Sequence, residues 1–268
     1  MIALGVARLA LFAAVGLAFG IGLFGAHHRR LLAALAAAGF TANLGWFAVL
    51  TAQMFEVPLA ELSLDALVTA LSMPAIGPAF AARALLLLVL VVASRWRWPS
   101  RILAAAALAS LAWTGHAGAA PLPRLGAGIA HLLAAGAWIG AVASLWLGVR
   151  RGEADTAARA AAFARPGALI VALLVATGGL AIIGLAGEAG WPQLVGAPWA
   201  WLIAAKLLLF AGTLALAWRH RTRLVPAYAD GKPGAAARLR TSLALEMVLL
   251  LGIFAAVAVA GQLDPAGG

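Results

Sequence analysis

Two histidines carry the strongest chemical signal in this chain. His116 lies in Trp113-Thr114-Gly115-His116-Ala117, and His131 opens the stretch His131-Leu132-Leu133-Ala134-Ala135-Gly136-Ala137-Trp138-Ile139-Gly140. Both belong to long apolar runs, where an ionisable group is costly unless it is paired or hydrated. The tight Pro121-Leu122-Pro123 turn makes the two runs antiparallel neighbours, and each histidine falls five or six residues from the middle of its run, on the same side. With a rise of about 1.5 Å per residue, both lie roughly 8 Å from the midplane. Two imidazoles at one depth on adjacent helices can converge on one ion. Imidazole suits zinc, copper, iron and nickel, and a thioether selects Cu(I). Met54 and Met73, in a connection on the same side, can add a sulfur or simply pack. Two other readings stay open: each histidine bonds a neighbouring carbonyl and glues helices together, or both hold a haem iron. The short hairpin sets the histidines side by side, which disfavours ligation across a porphyrin.

Few other polar groups lie in apolar surroundings. Lys206 needs a partner or water, and Glu56, Glu61 and Glu188 are external carboxylates that can supply one. Glu246 falls at the depth of Arg165, Arg221 and Arg240, so an ion pair that fixes helix packing is expected there, with a cation exit station as the alternative. His27, His28 and His220 sit in arginine clusters and read as interface residues. Trp113 and Trp138 flank the two histidines and are candidates to support their site. Catalysis finds no footing. The chain has no Gly-rich phosphate loop, no H-E-x-x-H, no nucleophile elbow and no cysteine. We therefore expect no enzyme and no nucleotide site.

The elements that position these residues follow from composition. Of the 268 residues, 65% are hydrophobic and 10% are charged, and mean hydropathy is +1.01. Soluble domains carry about 45–50% apolar and about 25% charged residues, so a water-soluble globule is excluded. Runs long enough to cross a bilayer fall at about 2–25, 31–53, 77–94, 102–119, 125–149, 167–187, 199–219 and 243–262. The fold expected is all-α: one polytopic membrane helix bundle of eight spans over residues 1–268. The first run reads as a full span and not as a cleavable signal. Leu64, Leu67, Val68 and Leu71 share one helical face, which predicts an interfacial helix before the third span. Gly16-x-x-x-Gly20 and Gly136-x-x-x-Gly140 would let helices approach closely, although small residues abound in so Ala-rich a chain.

The net charge of +10 does not point to nucleic acid, because the basic residues sit in short clusters between apolar runs. Trp96 and Trp98, interleaved with Arg95 and Arg97, form an interfacial belt. Fifteen of the nineteen Lys and Arg residues fall in four alternate connections; the others are Arg8, Arg83, Arg124 and Lys206. The positive-inside rule then places both termini outside and the fifteen-residue side in the cytoplasm.

At these residues the chain resembles the CopD family of bacterial copper-resistance membrane proteins. The two histidine motifs carry the resemblance. Phe163-x-Arg165, Thr177-Gly178, Lys206-Leu207, Arg221 to Pro226, Glu246 and Pro265 follow in family order, with Thr69 and Arg83 upstream. The resemblance implies a multi-pass protein of the bacterial inner membrane that handles copper and moves it from periplasm to cytoplasm. It also implies a periplasmic copper-binding partner of the CopC type. The chain departs from the pattern in having no fused copper-binding domain, in its few external Met and His residues, and in His220-Arg221 where relatives often have Asn-Arg. Reporter fusions at Asp155 and Asp230 should read cytoplasmic and one at the C-terminus periplasmic; a cytoplasmic C-terminus would overturn this orientation.

Overall fold

The computed structural model describes residues 2–25, 28–114, 121–190, 192, 195 and 198–262. Among them there are helices and turns and no strand. Backbone groups in hydrocarbon must bond within their own segment, and a helix does this without neighbours. The first pair is α1 (Ile2–Phe24) and α2 (Arg29–Met54). A short α3 (Leu64–Ser72) precedes α4 (Gly77–Ala93), and α5 (Arg97–Ala109) continues into a 3-10 turn, Ser110–Thr114. The longest helix, α6 (Leu122–Arg151), starts on prolines and stops at Gly152, whose φ of 65° is left-handed. Then come α7 (Thr156–Ala162), α8 (Ala164–Ala189) and α9 (Pro198–Arg219). A π-helical turn (His220–Leu224), α10 (Val225–Ala229) and α11 (Ala235–Ala260) complete the described chain.

Six helices among the described residues are long and apolar enough to cross a membrane: α1, α2, α6, α8, α9 and α11. A seventh span results if α3 and α4, bent by 99°, count together. The sequence-based count of eight differs because the third and fourth expected spans are short. The 17 residues of α4 reach about 26 Å, and the 13 of α5 reach about 20 Å, against a hydrocarbon core of about 30 Å. The far end of the fourth expected span, 115–120, lies outside the described residues. A helix is present where the interfacial one is expected, as α3. Its first turn is capped by the Ser63 side chain, which accepts from the Ala66 amide at 3.1 Å. Leu64, Val68 and Leu71 face outward, and the 99° bend turns α3 across the direction of α4.

Two apolar clusters form the interior. One draws Leu11, Val15, Trp46, Phe80, Leu87 and Leu108 from α1, α2, α4 and α5. The other draws Trp138, Ile139, Leu174, Leu239, Leu243 and Ile253 from α6, α8 and α11. Helix α6 joins the two through its glycines. A Cβ on Gly20 would overlap the Gly136 carbonyl oxygen and come within 2.6 Å of the Gly140 Cα, and a Cβ on Gly140 would overlap the Gly20 Cα. A Cβ on Gly136 would lie 3.3 Å from the Gly16 Cα. The two glycine motifs are therefore one crossing, seen from both helices.

Basic loops gather at one end of the bundle. Arg101 donates from Nε to the Gly22 carbonyl at 2.6 Å and from Nη2 to that of Leu23 at 3.3 Å, covering carbonyls that α1 leaves unpaired at its C-terminus. Arg151 lies 2.8 Å from His28 Nε2, and Phe24 meets Phe163 edge to face at 5.1 Å. Gly140→Ala should lower stability by about 1–3 kcal/mol or block assembly, because the added methyl meets backbone. Gly45→Ala, at a position with nothing within 4 Å, should be nearly neutral. Thermal unfolding in detergent checks both.

Candidate functional site

His131 stands half-buried on α6, opposite α8. Its Nδ1 is 2.8 Å from Thr177 Oγ1, and that hydroxyl is 2.6 Å from the Leu173 carbonyl one turn back along α8. The two bonds together assign the ring protons. The hydroxyl gives its hydrogen to the carbonyl, as threonine commonly does in an apolar helix. Its lone pair is then free to accept from Nδ1–H, and Nε2 keeps the unshared pair that a metal needs. Gly178 leaves room beside the ring, since a Cβ there would sit 3.6 Å from His131 Cε1. Lys206 of α9 is close enough for its charge to act on the imidazole. It is half-buried and has no hydrogen bond or ion pair among the described residues.

Its expected partner, His116, lies outside the described residues. The remaining candidates are dispersed. Met54 is exposed at the end of α2, and Met73 is half-buried in the link between α3 and α4. Trp113 is exposed in the 3-10 turn. Trp138 points elsewhere: two turns along α6 from His131, its Nε1–H donates to Glu246 Oε1 at 2.8 Å. Among the described residues no three His, Cys, Asp or Glu side chains come together as a metal cluster.

Glu246 is buried to 1% exposure, and its surroundings differ from the expected arginine pairing. Its second oxygen, Oε2, is 3.1 Å from His220 Nδ1, and His220 Nε2 is 2.8 Å from Ser242 Oγ. Arg165, Arg221 and Arg240 are exposed, whereas His220, expected at an interface, is buried. The cause is local. His220 follows the buried Thr213 by seven residues, on the same helical face, and there α11 presents Ser242 and Glu246 one turn apart. The spacings of Thr213 to His220 and of Ser242 to Glu246 are visible in the sequence; the pairing between the two helices is not.

Arg83 anchors the other half of the molecule. It is wholly buried, and its fork donates to neutral oxygens: Nε to Ser110 Oγ at 2.9 Å, Nη1 to Asn43 Oδ1 at 3.1 Å, and Nη2 to the Ser110 carbonyl at 2.9 Å and Thr114 Oγ1 at 3.1 Å. Asn43 Nδ2 donates in turn to the Phe80 carbonyl at 3.2 Å. The guanidinium also stands over Trp46 and Phe80, at 5.5 and 5.2 Å from the ring centres. Arg8 approaches the same Trp46 ring at 5.2 Å. Arg83 thus ties α2 and α4 to the turn that ends at Thr114, two residues before His116 in the chain.

Comparison with known proteins covers both halves. The family described as Copper resistance protein D matches residues 157–260, and the Copper resistance protein D-like N-terminal domain matches residues 1–122. A protein of Pseudomonas syringae pv. tomato called Copper resistance protein D is 34% identical over 186 residues. That match takes in 61% of this chain and 58% of the relative, so less than two thirds of the relative is represented. No solved structure matches. Arg83, Asn43 and Trp46 fall in the N-terminal match, and Thr177, Lys206, His220 and Glu246 fall in the C-terminal one. His131 and Trp138 lie on α6 between the two. Arg83→Lys keeps the charge but loses the fork that serves Asn43, Ser110 and Thr114. It should cost about 1–3 kcal/mol in detergent unfolding, through polar groups left unpaired in the interior.

Proposed function

The chain belongs to the copper resistance protein D family, and we propose that it binds copper inside the membrane and moves it from the periplasm to the cytoplasm. In this reading the protein is one CopD-like domain of the bacterial inner membrane with eight spans and both termini outside. Copper is its cargo. His131 and His116 hold the ion in the outer half of the bundle, and Met54 and Met73 supply thioethers on the approach. A CopC-type periplasmic protein delivers the metal. No nucleotide and no covalent chemistry are involved.

The observation that carries the reading is the bond from His131 Nδ1 to Thr177 Oγ1 at 2.8 Å. A metal-binding histidine characteristically donates its other ring nitrogen to a fixed acceptor, which sets the tautomer and aims the lone pair. Lys206 stands close to this imidazole without an ion pair among the described residues. Its charge keeps the resting site from holding a cation too tightly, which favours passage over storage. Beyond it, the same face of α6 leads to Trp138 and the Glu246 carboxylate, so the path runs toward a buried negative group.

Copper binding to detergent-purified variants tests the proposal. His116→Ala and His131→Ala should each remove most binding, with the double variant little worse, because effects within one site are not additive. Thr177→Val should weaken affinity by about 10–100-fold. Stability should fall by only about 0.6 kcal/mol for the lost interhelical bond. Wild-type affinity in both histidine variants would make the pair helix glue, and a Soret band in the purified protein would make haem its ligand.

A further inference from the structure

The cluster of Glu246, His220, Ser242 and Trp138 contains one hydrogen position that the geometry leaves open. Glu246 accepts the Trp138 indole N–H on Oε1 and the His220 Nδ1–H on Oε2. These two bonds satisfy an ionised carboxylate. His220 Nε2 then faces Ser242 Oγ at 2.8 Å. A hydroxyl can donate or accept by turning about its own bond. If the imidazole is neutral, Ser242 donates to Nε2; if it is protonated, Nε2–H donates to Ser242. The heavy atoms serve both states, and the cluster carries a net charge of −1 or 0 accordingly.

Nothing else nearby fixes that choice. From α6 the cluster meets Trp138; Arg150 and Arg151 lie at the exposed end of that helix. From the π turn and α9 come Arg219, Arg221 and Arg223, all exposed, and Lys206, fourteen residues before His220. From α11 come Arg238 and Arg240, also exposed, and α10 adds the half-buried Tyr228. None of these is bonded to Glu246 or His220 among the described residues. Imidazole is the side chain that exchanges a proton near neutral pH.

We infer that the Glu246–His220–Ser242 cluster is a proton-binding site linked to copper: an ion at His131 expels the proton from His220 Nε2, and proton uptake there loosens the ion. This rests on the copper reading of His131. Trp138 lies seven residues, about 10 Å, beyond His131 on α6, and His220 lies fourteen residues beyond Lys206 on the helix beside it, which sets the titrating nitrogen about 20 Å from the ion. At an effective dielectric constant of about 20, one added positive charge at that distance lowers proton affinity roughly fourfold. Charge balances: a copper ion enters, a proton leaves through Ser242 to the basic end of the bundle, and copper departure reverses both. By linkage, the proton weakens copper binding by the same factor.

The test is proton release on adding Cu(I), kept reduced with ascorbate, to the full-length protein in weakly buffered detergent between about pH 5.5 and 8.5, where imidazole titrates. Wild type should release up to about a third of a proton per copper near the midpoint, as a fourfold shift requires. His220→Asn keeps a donor toward Glu246 and cannot titrate. It should bind copper and release clearly less, and its affinity should lose the matching part of its pH dependence. Glu246→Gln provides a second variant should the first not fold, with the same loss expected. Copper binding with equal release in wild type and variants would overturn this inference and leave the copper reading intact. No copper binding by wild type would overturn both.

Discussion

Where α1 crosses α6, the backbone of Gly20 rests on that of Gly140, with no side chain between them. Van der Waals contact over glycine surfaces is what membrane helices can use in place of hydrophobic burial, because lipid is as apolar as leucine. The contact makes α6 the shared wall of both apolar clusters. It also rotates α6 so that His131 and Trp138 face the C-terminal helices, opposite Thr177 and Glu246. A residue with a Cβ at either glycine would separate the helices and misplace both polar groups.

Within this frame, polar chemistry is divided. In the N-terminal half, Arg83 is bonded to neutral acceptors and two aromatic faces, a fully committed arrangement suited to holding α2, α4 and the turn at Ser110–Thr114 in register. In the C-terminal half, His131 retains a free nitrogen, Lys206 a charge without an ion pair among the described residues, and Glu246 a negative charge held by an indole and an imidazole. Groups that are satisfied hold the structure together. In the proposed function, the groups with capacity left over are the ones that receive an ion and pass it on.

Much of this was legible from residue types. The apolar runs gave the helices, and the amphipathic pattern of Leu64, Leu67, Val68 and Leu71 gave α3. Spans three and four are less plain: hydropathy alone does not show that the helix begun at Arg97 gives way to a 3-10 turn at Ser110, and the expected end of span four lies outside the described residues. His131 was visible because an imidazole in hydrocarbon needs a reason. Its partner Thr177 entered only as one step of the family resemblance, because pairings between helices leave no trace in local spacing. Glu246 was expected beside arginines and is bonded to an indole and an imidazole. The reason is physical: His220 shares a helical face with buried Thr213, but its neighbours in the chain are Arg219 and Arg221, and a pairing between helices leaves no mark on them. His220 therefore read as one more basic residue in a basic loop.

The central claim is that copper is held by imidazole nitrogen in the outer half of the bundle. X-ray absorption at the copper edge of the loaded, purified protein measures this directly. The account predicts nitrogen scatterers at about 1.9–2.1 Å with the outer-shell scattering of imidazole, lost when His131 is replaced. A copper shell made only of oxygen or sulfur, unchanged by that replacement, would contradict it.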